Sequence, residues 1–382
     1  MNNIAKRLKQ TSFSVLATGI FAGAMTVPNI AQADMSLSGD FRFRLASDWD
    51  SHKSDGVTER EDRTRARIRA RVRLNYEHND WASFGAQLRS GSDENHQSPH
   101  ITLIDFNGND TGDADFNLDK WFFKAKAKGA WAWAGRNDIP FWKQNELFWS
   151  DNATIAGVGA GFKSGGNTSF AVNAGFFSLP VGMREFSPSM ALGQAVFSTK
   201  FGGGGLTASA GILSFEANSD DDQAAILLNS NGLRDYQIMV GSLQAKFKAG
   251  SLPLKFGVDV IHNAKDYTET DPDPFTVANR DETDGYVGSI HLGETKNPGD
   301  WQLGYYYAHI ETLAVNASYA QDDWARWGTA TESRLSNMKG HELRFKYQAS
   351  KELNLLTRLY IVEAIKGDED GNRFRFDFNY KF

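Results

Sequence analysis

The segment RFRFDFNYKF, residues 373–382, decides the fold of this chain. Its odd-numbered positions carry arginine, aspartate, asparagine or lysine, and its even-numbered positions carry phenylalanine or tyrosine. Successive side chains of a β-strand point to opposite faces, so this period of two predicts a strand with one apolar and one charged face.

The same alternation recurs in residues 65–76, RARIRARVRLNY, where five arginines share one face. On the surface of a soluble sheet these neighbouring charges would repel one another, whereas a water-filled interior with acidic groups opposite them would accommodate them. Alternating segments of about ten residues are typical of transmembrane barrels, because closure of the sheet satisfies every backbone group in lipid. A large soluble β-sandwich or an exported β-helix is the alternative.

The composition agrees with a barrel. The chain has 382 residues, of which 41% are hydrophobic and 13% aromatic, and it contains no cysteine. Its sequence has no run of about 18 apolar residues, which excludes helical membrane proteins. The aromatic residues must therefore find an apolar environment along alternating strands.

The first 33 residues are expected to be a secretory signal. Three basic residues precede an apolar run at 15–25, and an Ala-Gln-Ala cleavage site occupies 31–33. We therefore expect two parts, a removed signal peptide at 1–33 and one outer-membrane β-barrel at 34–382.

Alternation along the rest of the chain predicts sixteen antiparallel strands, an even number, as bacterial single-chain barrels have. The links between them alternate in length, which predicts short periplasmic turns on one rim and long extracellular loops on the other, with both termini on the short-turn side. The predicted strands are 37–45, 64–77, 81–90, 117–127, 130–136, 155–164, 167–177, 191–202, 205–216, 235–249, 252–263, 284–296, 299–309, 339–349, 352–363 and 372–382.

One motif resembles a known family. The sequence GRNDIPFW at 135–142, followed by LFWSD at 147–151 and Gly157-Val158, is similar to a pattern of a proteobacterial porin family within the general porin superfamily. The terminal Phe382 also resembles the C-terminal signature of outer-membrane barrels. The resemblance implies passive diffusion of small hydrophilic solutes, a homotrimer, and a third long loop folded into the pore. The motif falls on the third long link, residues 137–154.

This third loop is the expected constriction, because a sixteen-stranded barrel is wide enough to leave an aqueous lumen. If Trp131 and Trp133 face lipid, then Ala132, Ala134 and Arg136 face the lumen. The ring side chains are expected to pack the loop against the wall, and the acidic ones to carry negative charge or to be ordinary solvated loop residues. The expected constriction residues are Arg136, Asp138, Pro140, Phe141, Trp142, Glu146 and Asp151.

A basic wall is expected opposite this loop. Hairpin connections and barrel closure place the strands with most arginines side by side, so their cationic residues should line one contiguous arc of the lumen. These residues are Arg42, Arg44, Arg65, Arg67, Arg69, Arg71, Arg73, Arg89, Arg344, Lys346, Arg358, Arg373 and Arg375.

This wall favours anions or anionic solutes, because fixed charge sets ion preference. The net charge of −6 stands against that preference. Acidic residues in the first and fifth long loops would attract cations or bridge divalent ions to lipopolysaccharide. They are Asp48, Asp50, Asp55, Glu59, Glu61, Asp62 and Asp220–Asp222.

Aromatic residues near strand ends are expected to form interfacial girdles in the outer-membrane lipid of a Gram-negative bacterium. They are Tyr76, Trp81, Trp121, Trp131, Trp133, Phe374, Tyr380 and Phe382.

Other functions have weaker support. A channel selective for acidic sugars or organic acids would share the fold and differ in selectivity. An outer-membrane enzyme is disfavoured, because the eight histidines lack metal-ligand spacing and no nucleophile elbow or phosphate-binding loop is found. Neither a metal nor another cofactor is expected. Nucleic acid is not an expected partner, since the arginines alternate with lipid-type residues. A structural or adhesive barrel without conductance is a further alternative.

Overall fold

The computed structural model of the chain describes residues 34–53, 57, 59–92, 97–108, 114–179, 189–218, 231–232, 234–324 and 335–382. The expected signal peptide, residues 1–33, and the acidic run Asp220–Asp222 lie outside the described residues.

Eighteen strands of the described chain form one sheet. They are β1 (Asp34–His52), β2 (Glu59–Arg60), β3 (Arg63–Glu77), β4 (Ala82–Ser90), β5 (Ile101–Asp105), β6 (Phe116–Ala127), β7 (Ala130–Asp138), β8 (Thr154–Lys163), β9 (Thr168–Ser178), β10 (Ser189–Phe201), β11 (Gly204–Glu216), β12 (Tyr236–Ala249), β13 (Leu252–Asn263), β14 (Asp284–Gly293), β15 (Trp301–Ile310), β16 (Met338–Gln348), β17 (Leu353–Ala364) and β18 (Asp370–Lys381).

Sixteen of these strands close into a barrel. Each pairs antiparallel with its neighbour along the chain, and β18 returns to pair with β1, where Arg44 lies opposite Asp377. The terminal Phe382 extends this seam, because its N–H donates to the carbonyl of Gly39 and its carbonyl accepts from the Gly39 N–H. The predicted sixteen-stranded antiparallel barrel is confirmed. The short strands β2 and β5, which pair with the loop ends of β1 and β3, were not predicted, since so few residues show no alternation.

The two rims differ as the link lengths predicted. Tight turns join β6 to β7, β10 to β11 and β12 to β13 through two residues each. In the first of them Lys128 and Gly129 both have positive φ, 45° and 87°, as a type I′ hairpin turn requires. The opposite rim carries the long loops, including residues 139–153 between β7 and β8 (the third loop) and 311–337 between β15 and β16 (the seventh loop).

The outward face of the sheet is apolar and exposed. Large side chains such as Phe41, Phe374 and Leu343 alternate with buried or half-buried polar ones along the same strands. Trp81, Trp121 and Phe382 are 54%, 46% and 57% exposed. In an outer-membrane barrel these rings contact lipid and its interfaces.

A hydrophobic cluster fills part of the barrel interior. It joins third-loop residues Phe148 and Trp149 and seventh-loop residue Tyr319 to the inner faces of strands β8 to β17. Apolar side chains therefore lie on both sides of this barrel, outward against lipid and inward against two folded-in loops.

The orientation expected for Trp131 and Trp133 is wrong. Register pairs them with Lys126 and Lys124, and their rings cover Gly161 and Gly159 of β8. Trp133 is buried and stacks on Phe177 of the interior cluster, with 5.6 Å between ring centroids. They face the interior, so neither belongs to the lipid girdle. Ala132 and Ala134 share the outward face of Phe123 and of Val158, which is 52% exposed.

One helix, α1 (Pro274–Asn279), lies in the loop between β13 and β14. Asp273 caps it by accepting hydrogen bonds from the backbone N–H groups of Phe275 and Thr276. The described residues contain no helix with the length and hydropathy needed to cross a membrane.

Candidate functional site in the barrel interior

Thirteen cationic side chains share the inner face of six neighbouring strands, β16, β17, β18, β1, β3 and β4. Register aligns them across each pair of strands, with Arg344 opposite Arg358, Arg358 opposite Arg375, and Arg42 opposite Arg69. We call this set the basic arc, and its members are Arg42, Arg44, Arg65, Arg67, Arg69, Arg71, Arg73, Arg89, Arg344, Lys346, Arg358, Arg373 and Arg375. All thirteen residues that the sequence placed on one wall are brought together there.

Acidic residues between the arginines hold the arc together. Asp40 of β1 contacts Arg69 at 2.5 Å and Arg71 at 2.9 Å, and Asp377 of β18 contacts Arg44 at 2.6 Å. A carboxylate can accept hydrogen bonds from more than one arginine, so each shared carboxylate links neighbouring guanidinium groups and restricts their orientation. Asp48, Asp119 and Glu342 pair in the same way with Arg373, Arg89 and Arg344. The cations of the arc outnumber these five acids.

The third loop runs along the other side of the interior, across strands β10 to β13. The Trp142 N–H donates to Gln194 Oε1 at 2.7 Å, and Gln194 Nε2 donates back to the Trp142 carbonyl at 2.7 Å. Further along, Gln144 Nε2 and Asn145 Nδ2 donate to the two carboxylate oxygens of Asp259 at 3.0 and 2.7 Å. These polar contacts fix the path of the loop along the wall.

The rings of the third loop are packing residues. Phe141 is buried over Gly211 of β11 and contacts Phe148 edge to face, with 5.6 Å between centroids. Trp149 is buried, and its indole N–H donates to the Ala153 carbonyl at 3.0 Å. Pro140 stands directly before this cluster and is half-buried.

The expected acidic constriction residues occupy different surroundings, one at the end of β7 and two in the third loop. Asp138 forms an ion pair with Lys120, and Asp151 forms one with Lys143. Glu146 accepts a hydrogen bond from the Asp151 N–H at 2.9 Å. Burial, and after it the charge of Asp151, raises the pKa of Glu146 above its ordinary value.

Arg136 does not join the basic arc. Its Nε donates to Thr154 Oγ1 at 2.8 Å, and that hydroxyl donates to the backbone carbonyl of Asp119 at 3.0 Å. This side chain therefore ties β7 to β8 and β6 at the start of the third loop.

The described first part of the seventh loop, residues 311–324, is a second inward segment, which the sequence did not reveal. Residues 313–320 are buried, and Tyr319 stacks on Trp149 with 5.1 Å between centroids. The Ser150 N–H donates to the Tyr319 carbonyl, and the Gln321 N–H donates to the Glu146 carbonyl. The stretch Ile310–Gln321 contains few charges and several small or apolar residues, which is the signal that could have distinguished it from water-exposed loops.

The second long loop also reaches inward. Gln97 Nε2 donates to the carbonyls of Ala317 and Ala320 at 3.0 and 2.7 Å. Arg67 of the basic arc donates to Ser98 Oγ at 3.1 Å and to the His100 carbonyl at 3.3 Å. Three loops therefore meet inside the barrel.

A polar cavity remains where the third loop approaches β15 and β16. Glu146, Asp151 and Lys143 line one side of it, and Tyr306 and Arg344 line the other. The Arg344 guanidinium lies over the Tyr306 ring, 4.5 Å from its centroid. Charged groups of both signs thus face one another across a narrow space. Among the described residues, no group of three or more histidine, aspartate or glutamate side chains has the geometry of a metal site.

Comparison with known proteins agrees with this architecture. Residues 50–189 match the model of a family described as "Putative porin". That range contains the third loop and its motif. A search of curated proteins finds no match for the chain.

Solved outer-membrane proteins share the fold. OprB of Pseudomonas putida, in its high-pH structure, has a TM-score of 0.56 at 13% identity over 91% of this chain and 94% of its own. OmpF of Salmonella typhi, in complex with daunomycin, has a TM-score of 0.52 at 12% identity over 91% and 97%. In-vitro folded OmpT of Vibrio cholerae, in a trimer form, has a TM-score of 0.51 at 12% identity over 92% and 100%.

At these identities the structural likeness concerns the fold, and the family match concerns the segment that carries the third loop. Together they confirm the resemblance to the porins, through the family match of residues 50–189 and through the fold of the whole barrel, which is of the outer-membrane type.

Proposed function

We propose that the barrel allows passive diffusion of small hydrophilic solutes and ions, with a preference for anions. The basic arc is the observation that carries this preference. Thirteen cations on adjacent strands exceed the five wall acids and the loop residue Asp323 that pair with them, and fixed charge along a pore sets which ions enter. Arginine keeps its charge at every physiological pH.

The third loop supports a constriction, because it is held to the wall by hydrogen bonds at both Trp142 and Gln144. Glu146 and Asp151 would give this constriction its negative side, and Arg344 its positive side. Phe141, Trp142 and Pro140 would keep the loop stiff through packing. A transverse field between the two sides would act on every solute that passes.

The membrane context follows from the same proposal. We infer a removed signal peptide at residues 1–33 and a homotrimer, the form in which the Vibrio cholerae relative was solved. Exposed rings such as Trp121 and Phe374 support contact with outer-membrane lipid. Rim acids such as Glu59 would meet lipopolysaccharide through divalent ions. Phe382, paired with Gly39, would serve as the C-terminal barrel signature.

Planar-bilayer recording of the refolded mature barrel tests this function. We expect stepwise conductance. In a gradient of potassium chloride, the sign of the reversal potential should show that chloride permeates better than potassium. Absence of ion-conducting steps would refute the channel, and a potassium-selective reversal potential would refute the anion preference.

A channel selective for acidic sugars is the second candidate. The stacked pair of Tyr306 and Arg344 in the polar cavity favours it, because an aromatic ring and a guanidinium are suited to a sugar ring and its carboxylate. Saturable block of chloride current by a sugar acid, but not by the neutral sugar, would favour this candidate over general diffusion.

A further inference from the structure

Asp323, in the seventh loop, places a carboxylate among arginines of the basic arc. Its carboxylate pairs with Arg375, lies 3.8 Å from Nη1 of Arg358 and Arg373, and lies 4.0 Å from Nη1 of Arg44. These four arginines come from β1, β17 and β18. The other acids that pair with the arc at these positions, such as Asp377, belong to the wall itself.

Two of the four arginines depend on this loop residue. Arg44 has Asp377 at 2.6 Å, and Arg373 has Asp48 at 2.5 Å, so both keep a close wall partner without Asp323. Arg375 has only a 3.5 Å contact to Asp377 on the wall, and the nearest wall acid of Arg358 is Glu342 at 3.7 Å.

Unused donors point the same way. Within the described residues, the buried Nε atoms of Arg358 and Arg375 have no hydrogen-bond acceptor. Other nitrogens of these groups do have acceptors, Tyr360 Oη for Arg358 and Asp377 Oδ2 for Arg375, but a buried N–H without one is costly, so both side chains favour an additional anion. The fork of nitrogens on arginine matches the planar oxygens of a carboxylate.

Asp323 is held at this place by the loop rather than by the wall alone. Gln321 Nε2 donates to Asp323 Oδ2 at 2.8 Å, and Arg373 Nη1 donates to the Asp323 carbonyl at 3.1 Å. The Gln321 N–H is fixed by the Glu146 carbonyl of the third loop. The position of the carboxylate is thus set by the same contacts that hold the two loops together.

We propose that Arg358 and Arg375 form a binding site for a solute carboxylate, and that Asp323 occupies it as a tethered competitor. Asp323 is then a specificity-determining residue, because it lowers the anion affinity of the arc at two arginines that have no wall acid closer than 3.5 Å. The ligand class is a small organic anion with a free carboxylate. This inference rests on the proposed channel function and deepens it.

Chemical rescue tests the site. In Asp323→Asn the arginines lose their carboxylate, and we expect the chloride-to-potassium permeability ratio to rise about threefold. Acetate, supplied as the probe, should then bind in place of the lost group and block the chloride current saturably at about 1–100 mM. The unmodified barrel should need at least about tenfold more acetate for the same block of chloride current. The tethered Asp323 carboxylate competes with acetate there at a high effective concentration.

Glu311→Gln is the matched control. It removes one negative charge from the start of the same loop, where Glu311 Oε2 accepts from the Asp284 N–H instead of meeting the basic arc. Equal shifts of the permeability ratio in Asp323→Asn and Glu311→Gln would overturn the proposal. It would also be overturned if acetate blocked Asp323→Asn no more strongly than it blocks the unmodified barrel.

A second variant covers the case in which Asp323→Asn does not fold. Gln321→Ala keeps the charge of Asp323 and removes the hydrogen bond that orients it, so acetate should compete at a lower concentration than in the unmodified barrel. Unchanged acetate sensitivity would overturn the proposal. Failure of the unmodified barrel to conduct would instead refute the channel function, which keeps the two failures distinguishable.

Discussion

The two halves of the inner wall are built in opposite ways. Strands β16 to β18, β1, β3 and β4 carry charge, and most of their acidic partners lie on the wall itself. Strands β8 to β14 present buried apolar residues such as Leu213, Ile238 and Val287, and their partners are rings of the third and seventh loops. The charged half meets the loops through ion pairs and hydrogen bonds, and the apolar half meets them through packed rings.

This difference explains why the loops fold inward where they do. An apolar inner wall facing water would carry the full cost of hydration, about 25 cal/mol per Å² of apolar surface. The third and seventh loops remove that surface from water by covering it. Where loops reach the basic arc, they contact it through polar groups instead, as Ser98 of the second loop does at Arg67 and Asp323 of the seventh loop does at Arg375.

Deleting residues 138–150 is the strongest way to break this asymmetry. The deletion removes Phe141, Phe148 and Trp149 from the lumen and leaves the apolar wall without a partner. We expect single-channel conductance to rise about twofold or more, because the barrel itself is wide enough for an aqueous lumen. Planar-bilayer recording of single steps measures this change.

A deletion of equal length, 268–280, serves as the control for the third-loop deletion. It removes α1 at the long-loop rim and leaves the wall contacts of Trp142 and Asp259 in place. Unchanged conductance after deletion of 138–150, or an equal rise in both variants, would show that the third loop does not narrow the channel.

The same asymmetry determines what could be predicted from the sequence. On the charged half, alternation of Arg and Phe in 373–382 separates the two faces, so the strands and the facing of their side chains could be predicted. On β7, beside the apolar half, both faces are hydrophobic, so no pattern in the sequence indicated which way Trp131 and Trp133 face. The inward course of the seventh loop depends on tertiary contacts such as the Trp149–Tyr319 stack, which no local pattern contains.

Replacing Asp259 tests the polar anchor of the third loop. Asp259→Ala removes the acceptor for Gln144 and Asn145, and hydrogen bonds to a charged group contribute about 1.5–3 kcal/mol. We expect larger open-channel current noise and a conductance increase smaller than that of the deletion. Asp300→Ala, an acid that accepts backbone N–H bonds at a short turn, is the control and should leave the noise unchanged. If neither variant showed increased open-channel noise, the contacts with Asp259 would not be what holds the third loop to the wall.

Protonation of Glu146 reversibly removes one negative charge from the lining of the polar cavity. Because burial and the charge of Asp151 raise its pKa, Glu146 takes up a proton at a higher pH than an ordinary glutamate, whose value is 4.5. As the pH falls from 7 toward that value, one negative charge opposite Arg344 is lost, and the chloride-to-potassium permeability ratio should rise. The folded barrel binds this proton more tightly than the unfolded chain, so the same group favours the folded state increasingly as the pH falls through the window.

Reversal potentials measured between pH 7 and 5 test this expectation. Glu146→Gln should abolish the rise in the permeability ratio, since the variant has no carboxyl to protonate. Asp138→Asn removes a more exposed acid at the end of β7, directly before the third loop, and should leave the rise intact. A rise that persists in Glu146→Gln would assign the pH dependence to another group.

The smallest expected effect comes from a single methyl group between the loop and its wall. At Gly211 an added Cβ would lie 2.6 Å from ring atoms of Phe141, whereas at Gly193, its neighbour on β10, the nearest atom would be Ile212 Cγ2 at 3.8 Å. Gly211→Ala should therefore lower the free energy of unfolding in lipid vesicles by about 1–3 kcal/mol through overpacking. Gly193→Ala should change it far less. If both substitutions lowered the free energy of unfolding equally, the Phe141 ring would move aside without cost. The apolar half of the wall would then not hold the third loop at this position.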